Sequence, residues 1–194
     1  MQLQELVKGI PYTGNPDNCE ITAVTYDSRK VKSGTLFVAI AGFQVDGHDY
    51  ISQAIENGAA AILSNGRSPK IKTLPILQVE NPRIAMSQIS AQFYGNPSED
   101  MHVVGITGTN GKTSITHILF HIFQDAGYPC GTMGTLGFQT PTGMMSTGFT
   151  TPESVEVHHM LQTLKMAGVD NVVMEISSHA LDMHRVKDVD VDIA

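Results

Sequence analysis

The residues best suited to chemistry lie in one glycine-rich stretch, 105–114, which reads GITGTNGKTS. Residues 102–107 have the pattern of a buried strand and residues 112–126 have helical spacing, so the stretch joins a strand to a helix. Backbone N–H groups at such a junction point toward one spot and favour an anion there. Lys112 can reach a phosphate as a point charge, and the Thr113 hydroxyl suits Mg²⁺. The stretch therefore predicts a phosphate-binding loop.

This loop is a variant, because the strict pattern G-x-x-x-x-G-K-[ST] would place its first glycine at Ile106. The alternative is a glycine-rich turn that binds nothing. Strand, glycines, Lys-Thr and helix all coincide here, which favours phosphate binding over that alternative. The residues expected to form the phosphate site are Gly108, Thr109, Asn110, Gly111, Lys112, Thr113 and Ser114.

Strands and helices alternate along the chain, which predicts an α/β fold. In the first half, strands are expected at 20–26, 35–40, 59–63 and 75–79, and helices at 49–57 and 82–93. The breaker-rich segment 95–100 separates two predicted domains, 1–97 and 98–194. The first domain is expected to be complete and the second to be a partial P-loop domain.

In the second half, the helix over 112–126 has one apolar face, and His117 and His121 lie opposite it on a face expected to be solvated. The stretch 137–151 is rich in Gly, Thr and Pro, which predicts a long loop or an irregular hairpin. Pro152 suits the first turn of a helix that runs to about residue 167. A buried strand follows at 171–176, and the pattern of residues 189–194 is that of a strand just beginning.

Composition excludes several classes of protein. The net charge is −7, with 12 Lys+Arg against 19 Asp+Glu, which argues against broad nucleic-acid binding. Cys19 and Cys130 lie far apart, so neither a disulfide framework nor a zinc site is supported. Neither a signal peptide nor a membrane-length apolar run is visible, which predicts a cytoplasmic protein that does not insert into membranes.

Several motifs together carry a family resemblance. The sequence TGTNGKT at Thr107–Thr113 resembles the ATP loop of the Mur ligase family. Two further groups of residues resemble, respectively, the UDP-binding N-terminal domain and the central domain of that family. The first group is Asp27-Ser28-Arg29, Gly34–Ala39 and Asp46-Gly47-His48; the second is Thr150–Glu153, Met174–Leu181 and His184-Arg185-Val186. The resemblance covers nearly the whole chain.

The resemblance implies a bacterial ATP-dependent amide ligase of peptidoglycan precursor synthesis, and so of cell-wall formation. Such an enzyme phosphorylates the terminal carboxylate of UDP-N-acetylmuramoyl-L-alanyl-D-glutamate, and an amino acid, diaminopimelate or lysine, attacks the acyl phosphate. The products are an amide, ADP and phosphate. The expected partners are therefore this UDP-linked precursor and an amino acid, and a monomer is expected.

The resemblance also implies residue roles. Lys112 and Glu175 are expected to be catalytic, and Thr113 and Glu175 to serve Mg²⁺. The expected contacts with the UDP-linked precursor are Ser28, Phe43, Gln44, Val45, Thr150, Thr151, Ser177 and Arg185. The family pattern continues beyond residue 194, so we expect an N-terminal part of a longer ligase, inactive in ligation by itself.

Alternatives stay open at this point. The ligase that adds the terminal dipeptide shares the Asp27–Arg29, Asp46–His48 and phosphate-loop features, and a nonenzymatic module that binds nucleotide or UDP-precursor is a third possibility. Ser177-Ser178-His179 could suggest a hydrolase dyad, but without a G-x-S-x-G elbow a substrate-binding loop is favoured. His117 and His121 have the spacing of a metal pair, although a solvated helix face is favoured.

Overall fold

The chain forms two α/β units, Met1–Ile89 and Ser90–Ala194. The structure is a computed structural model that describes residues 1–16, 19–42, 45–66, 73–146 and 148–194. The division between the units falls inside a helix, a little before the boundary predicted at residue 97, which stays a prediction. Within the described residues, no helix is long and apolar enough to cross a membrane.

The first unit is built on a four-stranded parallel sheet in the order β1-β2-β3-β4. Its strands are β1 (Ala23–Thr25), β2 (Thr35–Val38), β3 (Ala59–Ser64) and β4 (Ile76–Gln78), and its helices are α1 (Leu3–Leu6), α2 (Ile51–Glu56) and the start of α3 (Pro82–Phe93). All four residues of β2 are buried, as expected for a strand inside a parallel sheet.

The helix predicted over 49–57 is shorter than expected. A 3₁₀ turn, Gly47–Tyr50, comes first, with Asp46 as its N-cap, and α2 follows. Asp46 accepts a hydrogen bond from the backbone N–H of His48 at 3.0 Å, which satisfies the first turn locally. Ile51 and Ala54 of α2 are buried and pack with Phe37 of β2.

The second unit has a five-stranded mixed sheet in the order β5-β9-β6-β7-β8. Its strands are β5 (His102–Ile106), β6 (Cys130–Gly134), β7 (Gly137–Thr140), β8 (Gly143–Met145) and β9 (Asn171–Glu175), and its helices are α4 (Lys112–Asp125), α5 (Ser154–Met166) and α6 (Ser178–Asp182). Strands β5, β9 and β6 are parallel, so their carboxyl ends lie at one edge of the sheet.

The sequence did not predict β6, although it is fully buried beside β9. The segment 137–151 contains the antiparallel pair β7–β8, which agrees with the hairpin alternative. Helix α5 begins at Ser154, so the expectation that Pro152 opens it was wrong. The final segment forms a single bridge, Val104 to Ile193, rather than a named strand.

Helix α4 exposes much of its apolar surface. Its one fully buried residue is Thr116, which is 1% exposed, whereas Ile115, Ile118 and Ile122 are 45%, 58% and 57% exposed. The isoleucines follow helical spacing and form an apolar stripe, which we call the α4 stripe. The predicted apolar face is therefore mostly exposed, and only its members Leu119 and Phe123 are partly buried, on the same side of the helix as Thr116.

Candidate nucleotide and substrate site

The phosphate loop lies between the end of β5 and the start of α4. Gly111 caps the helix with φ +84°, and Gly108 has φ +139°, both in the region that favours glycine. No side chain caps the first turn, so its N–H groups are left for another acceptor. The loop side chains from Thr107 to Gly111 are exposed. This arrangement can receive an anion from solvent.

Lys112 folds back over the loop. Its Nζ donates a hydrogen bond to the carbonyl oxygen of Gly108 at 2.7 Å. A lysine held in this way adds its positive charge to the field of the loop's backbone N–H groups, and that combined field would attract phosphate oxygens. Of the predicted nucleotide residues, Gly108–Gly111 and Ser114 are exposed, whereas Lys112 and Thr113 are partly buried.

Glu175 ends β9 and lies between the phosphate loop and the end of β6, because β9 is the strand between β5 and β6. It is 1% exposed. Its Oε2 accepts from the hydroxyls of Thr113 at 3.0 Å and Thr135 at 3.1 Å, and its Oε1 accepts from the backbone N–H of Thr135 at 2.9 Å. Among the residues that the structure describes, no basic side chain pairs with this carboxylate.

A buried carboxylate beside a threonine hydroxyl fits a hard cation such as Mg²⁺, which prefers oxygen ligands and needs few from the protein when phosphates supply others. No group of three or more His, Cys, Asp and Glu side chains that could hold a metal occurs in the described ranges. The pair Thr113 and Glu175 therefore fits a nucleotide-associated cation rather than a closed protein site.

The second group of predicted residues gathers behind Glu175. Thr151 is 2% exposed, donates its hydroxyl to the carbonyl oxygen of Glu175 at 2.8 Å, and accepts from the backbone N–H of Ser177 at 3.2 Å. The Ser177 hydroxyl caps α6 by accepting from Ala180 N at 3.1 Å. Thr150 contacts Thr135 through their hydroxyls at 3.0 Å.

Arg185 is already engaged in this structure. Its Nη1 donates to the carbonyl oxygen of Thr151 at 2.9 Å, and its Nη2 pairs with Glu153 at 2.9 Å. Both side chains of this ion pair are mostly buried, at 15% and 12% exposure. The pair fixes the extended segment before α5, so Arg185 organises the site as well as being a predicted substrate contact.

Ser28 and Val45, two of the predicted contacts with the UDP-linked precursor, belong to the first unit. Ser28 is 7% exposed, and its hydroxyl donates to Gln53 Oε1 at 2.8 Å. Beside it, hydrogen bonds from the exposed Arg29 hold the pKa of the Asp27 carboxyl below its usual value. Val45 is 52% exposed, and the predicted contacts Phe43 and Gln44 lie outside the described residues.

Sequence reasoning missed two positions that lie against the Glu175 carboxylate, Gly134 and Thr135. Gly134 is the last residue of β6, the strand that the sequence did not predict, and Thr135 follows it. Their signal was the spacing of Gly131, Gly134 and Gly137 around a Thr. A Cβ at Gly134 would lie 2.2 Å from Oε1 of Glu175, so glycine is what lets the carboxylate approach the strand.

These elements define the class of protein: an α/β unit with an exposed glycine-rich loop between strand and helix, preceded in the chain by another α/β unit. Residues 106–194 match the Mur ligase middle domain, and residues 20–94 match the model described as Mur ligase family, catalytic domain. The chain belongs to the Mur ligase family.

Several similar proteins carry more specific names. The chain is 41% identical to the UDP-N-acetylmuramoyl-L-alanyl-D-glutamate--2,6-diaminopimelate ligase of Caldanaerobacter subterraneus subsp. tengcongensis, over 100% of this chain and 40% of the relative. A solved structure of a ligase of the same name superposes with TM-score 0.80 at 24% identity, covering 98% of this chain and 39% of that one.

A third similar protein is the MurF ligase of Thermotoga maritima, solved in complex with ADP. Its TM-score is 0.59 at 26% identity, over 88% of this chain and 36% of that one. The chain spans about two fifths of the length of the curated relatives that it matches. The predicted family and α/β fold are therefore confirmed.

Proposed function

We propose that this chain carries the ATP-binding and UDP-precursor-binding parts of an ATP-dependent amide ligase of peptidoglycan precursor synthesis. The observation that supports the proposal most is the exposed phosphate loop with Lys112 above it and the Thr113–Glu175 pair directly beside it. The names of the relatives indicate diaminopimelate as the incoming amino acid and UDP-N-acetylmuramoyl-L-alanyl-D-glutamate as its acceptor.

The proposed reaction begins with the terminal carboxylate of the precursor, which attacks the γ-phosphorus of ATP and expels ADP. The amine of the amino acid then attacks the acyl carbon, phosphate leaves, and an amide remains. The loop N–H groups and Lys112 bind the phosphates and stabilise charge that develops on the transferred group. Thr113 and Glu175 would hold Mg²⁺, which supplies further neutralisation of phosphate charge.

The threonines near Glu175 support a role in substrate binding. Thr150 and Thr151 are adjacent in the segment before α5, and Thr151 donates a hydrogen bond to the carbonyl oxygen of Glu175. Ser177, which lies just after β9, donates its backbone N–H to Thr151. Hydroxyl and backbone N–H groups suit the pyrophosphate and carboxylate oxygens of a UDP-linked precursor. We therefore propose that Thr150, Thr151, Ser177 and Arg185 bind the precursor close to the transferred phosphate.

Nucleotide binding is tested with the 194-residue chain. We expect Mg²⁺–ATP to bind, and Lys112→Ala to weaken the affinity at least about tenfold, since a charge-assisted contact is lost. Isothermal titration calorimetry measures both. Lys165→Ala is the matched control, because Lys165 pairs with Asp100 away from the loop, and it should bind like the wild type. Equal heats for the wild type and Lys112→Ala would reject the proposal.

Binding of the UDP-linked precursor is tested by the same calorimetric titration. UDP-N-acetylmuramoyl-L-alanyl-D-glutamate should bind, and Ser28→Ala should weaken binding roughly three- to tenfold, the value of one neutral hydrogen bond. The exposed Ser33→Ala serves as the control. Preference for the corresponding tripeptide precursor would instead favour the dipeptide-adding ligase, and binding of ATP without either precursor would favour a nucleotide-binding module.

A further inference from the structure

Thr135 makes more contacts with the catalytic carboxylate than any residue that the sequence singled out. It lies in the two-residue turn between β6 and β7, whose ends are paired at Gly134 and Gly137. Its backbone N–H donates to Oε1 of Glu175 and its hydroxyl donates to Oε2, at 2.9 and 3.1 Å. One residue therefore holds both oxygens of the carboxylate.

The direction of the hydroxyl protons follows from the chemistry of the groups. The Thr135 hydroxyl has a single proton and donates it to Oε2 of Glu175. The Thr135 and Thr150 hydroxyl oxygens are 3.0 Å apart, and that hydrogen bond needs a proton from Thr150. Thr150 is then the donor to Thr135, which is the donor to Glu175.

We infer that Thr135 is a positioning residue, which orients the Glu175 carboxylate toward Thr113 and joins it to the substrate segment at Thr150. The inference rests on the proposed function, because it assigns this orientation to cation-assisted nucleotide binding. Oε2 already accepts two hydroxyl protons, whereas Oε1 accepts one backbone N–H and keeps a lone pair uncommitted. Thr135 donates one hydrogen bond to each oxygen and so fixes the orientation of the carboxylate, with Oε2 at Thr113 and a lone pair of Oε1 left for a cation or its water.

The first test compares ATP affinity in excess Mg²⁺ with affinity in EDTA, on the 194-residue chain. Thr135→Val removes the hydroxyl and keeps the shape and the backbone N–H, whereas Thr135→Ser keeps the hydroxyl. We expect the Mg²⁺-dependent gain in affinity to fall about tenfold in Thr135→Val, as for other residues that orient metal ligands, and to be retained in Thr135→Ser. Leu136→Ala, at the exposed neighbour in the turn, should keep the wild-type gain.

The second test needs no ligand. Urea unfolding of Thr135→Val, Glu175→Gln and the double variant forms a cycle that reports direct coupling between the two side chains. Non-additive free energies of unfolding support the contact, and additive ones overturn it.

The outcomes separate the two proposals. A wild-type chain that binds no nucleotide refutes the proposed function and this inference with it. The positioning role alone is refuted if Mg²⁺ raises the ATP affinity of the wild type and raises that of Thr135→Val by the same factor. The same holds if Thr135→Ser loses as much as Thr135→Val, because the hydroxyl would then be irrelevant.

Discussion

Replacing Gly134 by alanine should displace the Glu175 carboxylate and remove most of the Mg²⁺-dependent part of ATP binding. The new Cβ would lie 2.2 Å from Oε1, 2.7 Å from Cδ and 2.8 Å from Cγ of Glu175, all below van der Waals contact. Because Glu175 is 1% exposed and held by three hydrogen bonds, it cannot move without losing some of them.

The expected cost in the free energy of unfolding is about 1–3 kcal/mol, from overpacking and from hydrogen-bond donors left without an acceptor. The Mg²⁺-dependent gain in ATP affinity should fall about 10–100-fold. Chemical denaturation and calorimetry with and without Mg²⁺ measure the two quantities.

Gly131→Ala is the matched control on the same strand. Its Cβ would lie 2.6 Å from Cδ2 of Leu164, so it also crowds the core, but it does not touch the carboxylate. We expect lower stability with an unchanged Mg²⁺ gain. If Gly134→Ala keeps the full gain as well, the close approach of Glu175 to β6 has no part in nucleotide binding.

The second large expected effect is a loss of folding stability at acidic pH, caused by His158. His158 lies on the buried face of α5 at 0% exposure, and neither ring nitrogen has a hydrogen-bond partner among the described residues. Burial lowers the pKa of His158 from 6.5 to about 4, against a smaller opposite effect of Asp188. Between these two pH values the unfolded chain binds the proton and the folded chain does not.

The stability of the second unit should therefore fall as the pH drops from about 6.5 to about 4, and His158 should add no further loss below that. The loss attributable to this one group is about 3 kcal/mol, at about 1.4 kcal/mol for each unit of pKa. Urea denaturation at several pH values measures it. In His158→Leu, which cannot titrate, the curve should be flatter over this window.

His159→Gln is the control, because His159 is an exposed neighbour on the same helix. It should follow the wild-type pH dependence. Curves of equal slope for the wild type and His158→Leu would show that other groups, such as carboxylates, account for the acid sensitivity.

Local patterns predicted the parts of the fold that depend on local physics. The phosphate loop, β5, α3 and β9 were predicted nearly to their ends, because an apolar run, a helical period or a glycine at a turn marks each one. Strand β6 was missed because CGTMG has few apolar residues. It is buried by its neighbours β9 and β7 rather than by its own hydrophobicity.

Other features depend on the register in which strands pair, and a single sequence does not reveal that register. The approach of Gly134 and Thr135 to Glu175 follows from the parallel pairing of β6 with β9, in which Met133 faces Met174. The isoleucines of α4 show a second property that sequence spacing does not predict, namely which face of a helix is buried. Their spacing defines a face, but spacing alone cannot indicate whether the sheet or solvent covers it.

The exposure of the α4 stripe makes this helix a convenient place for a reporter group. Ile118 is 58% exposed and lies on the helix that starts at Lys112, so a dye attached through Ile118→Cys would stay near the loop without entering the core. Burial raises the pKa of the Cys130 thiol to about 11, which leaves it slow to react with labelling reagents. With Cys19→Ser, a single dye on the α4 stripe could then follow events at the loop by fluorescence.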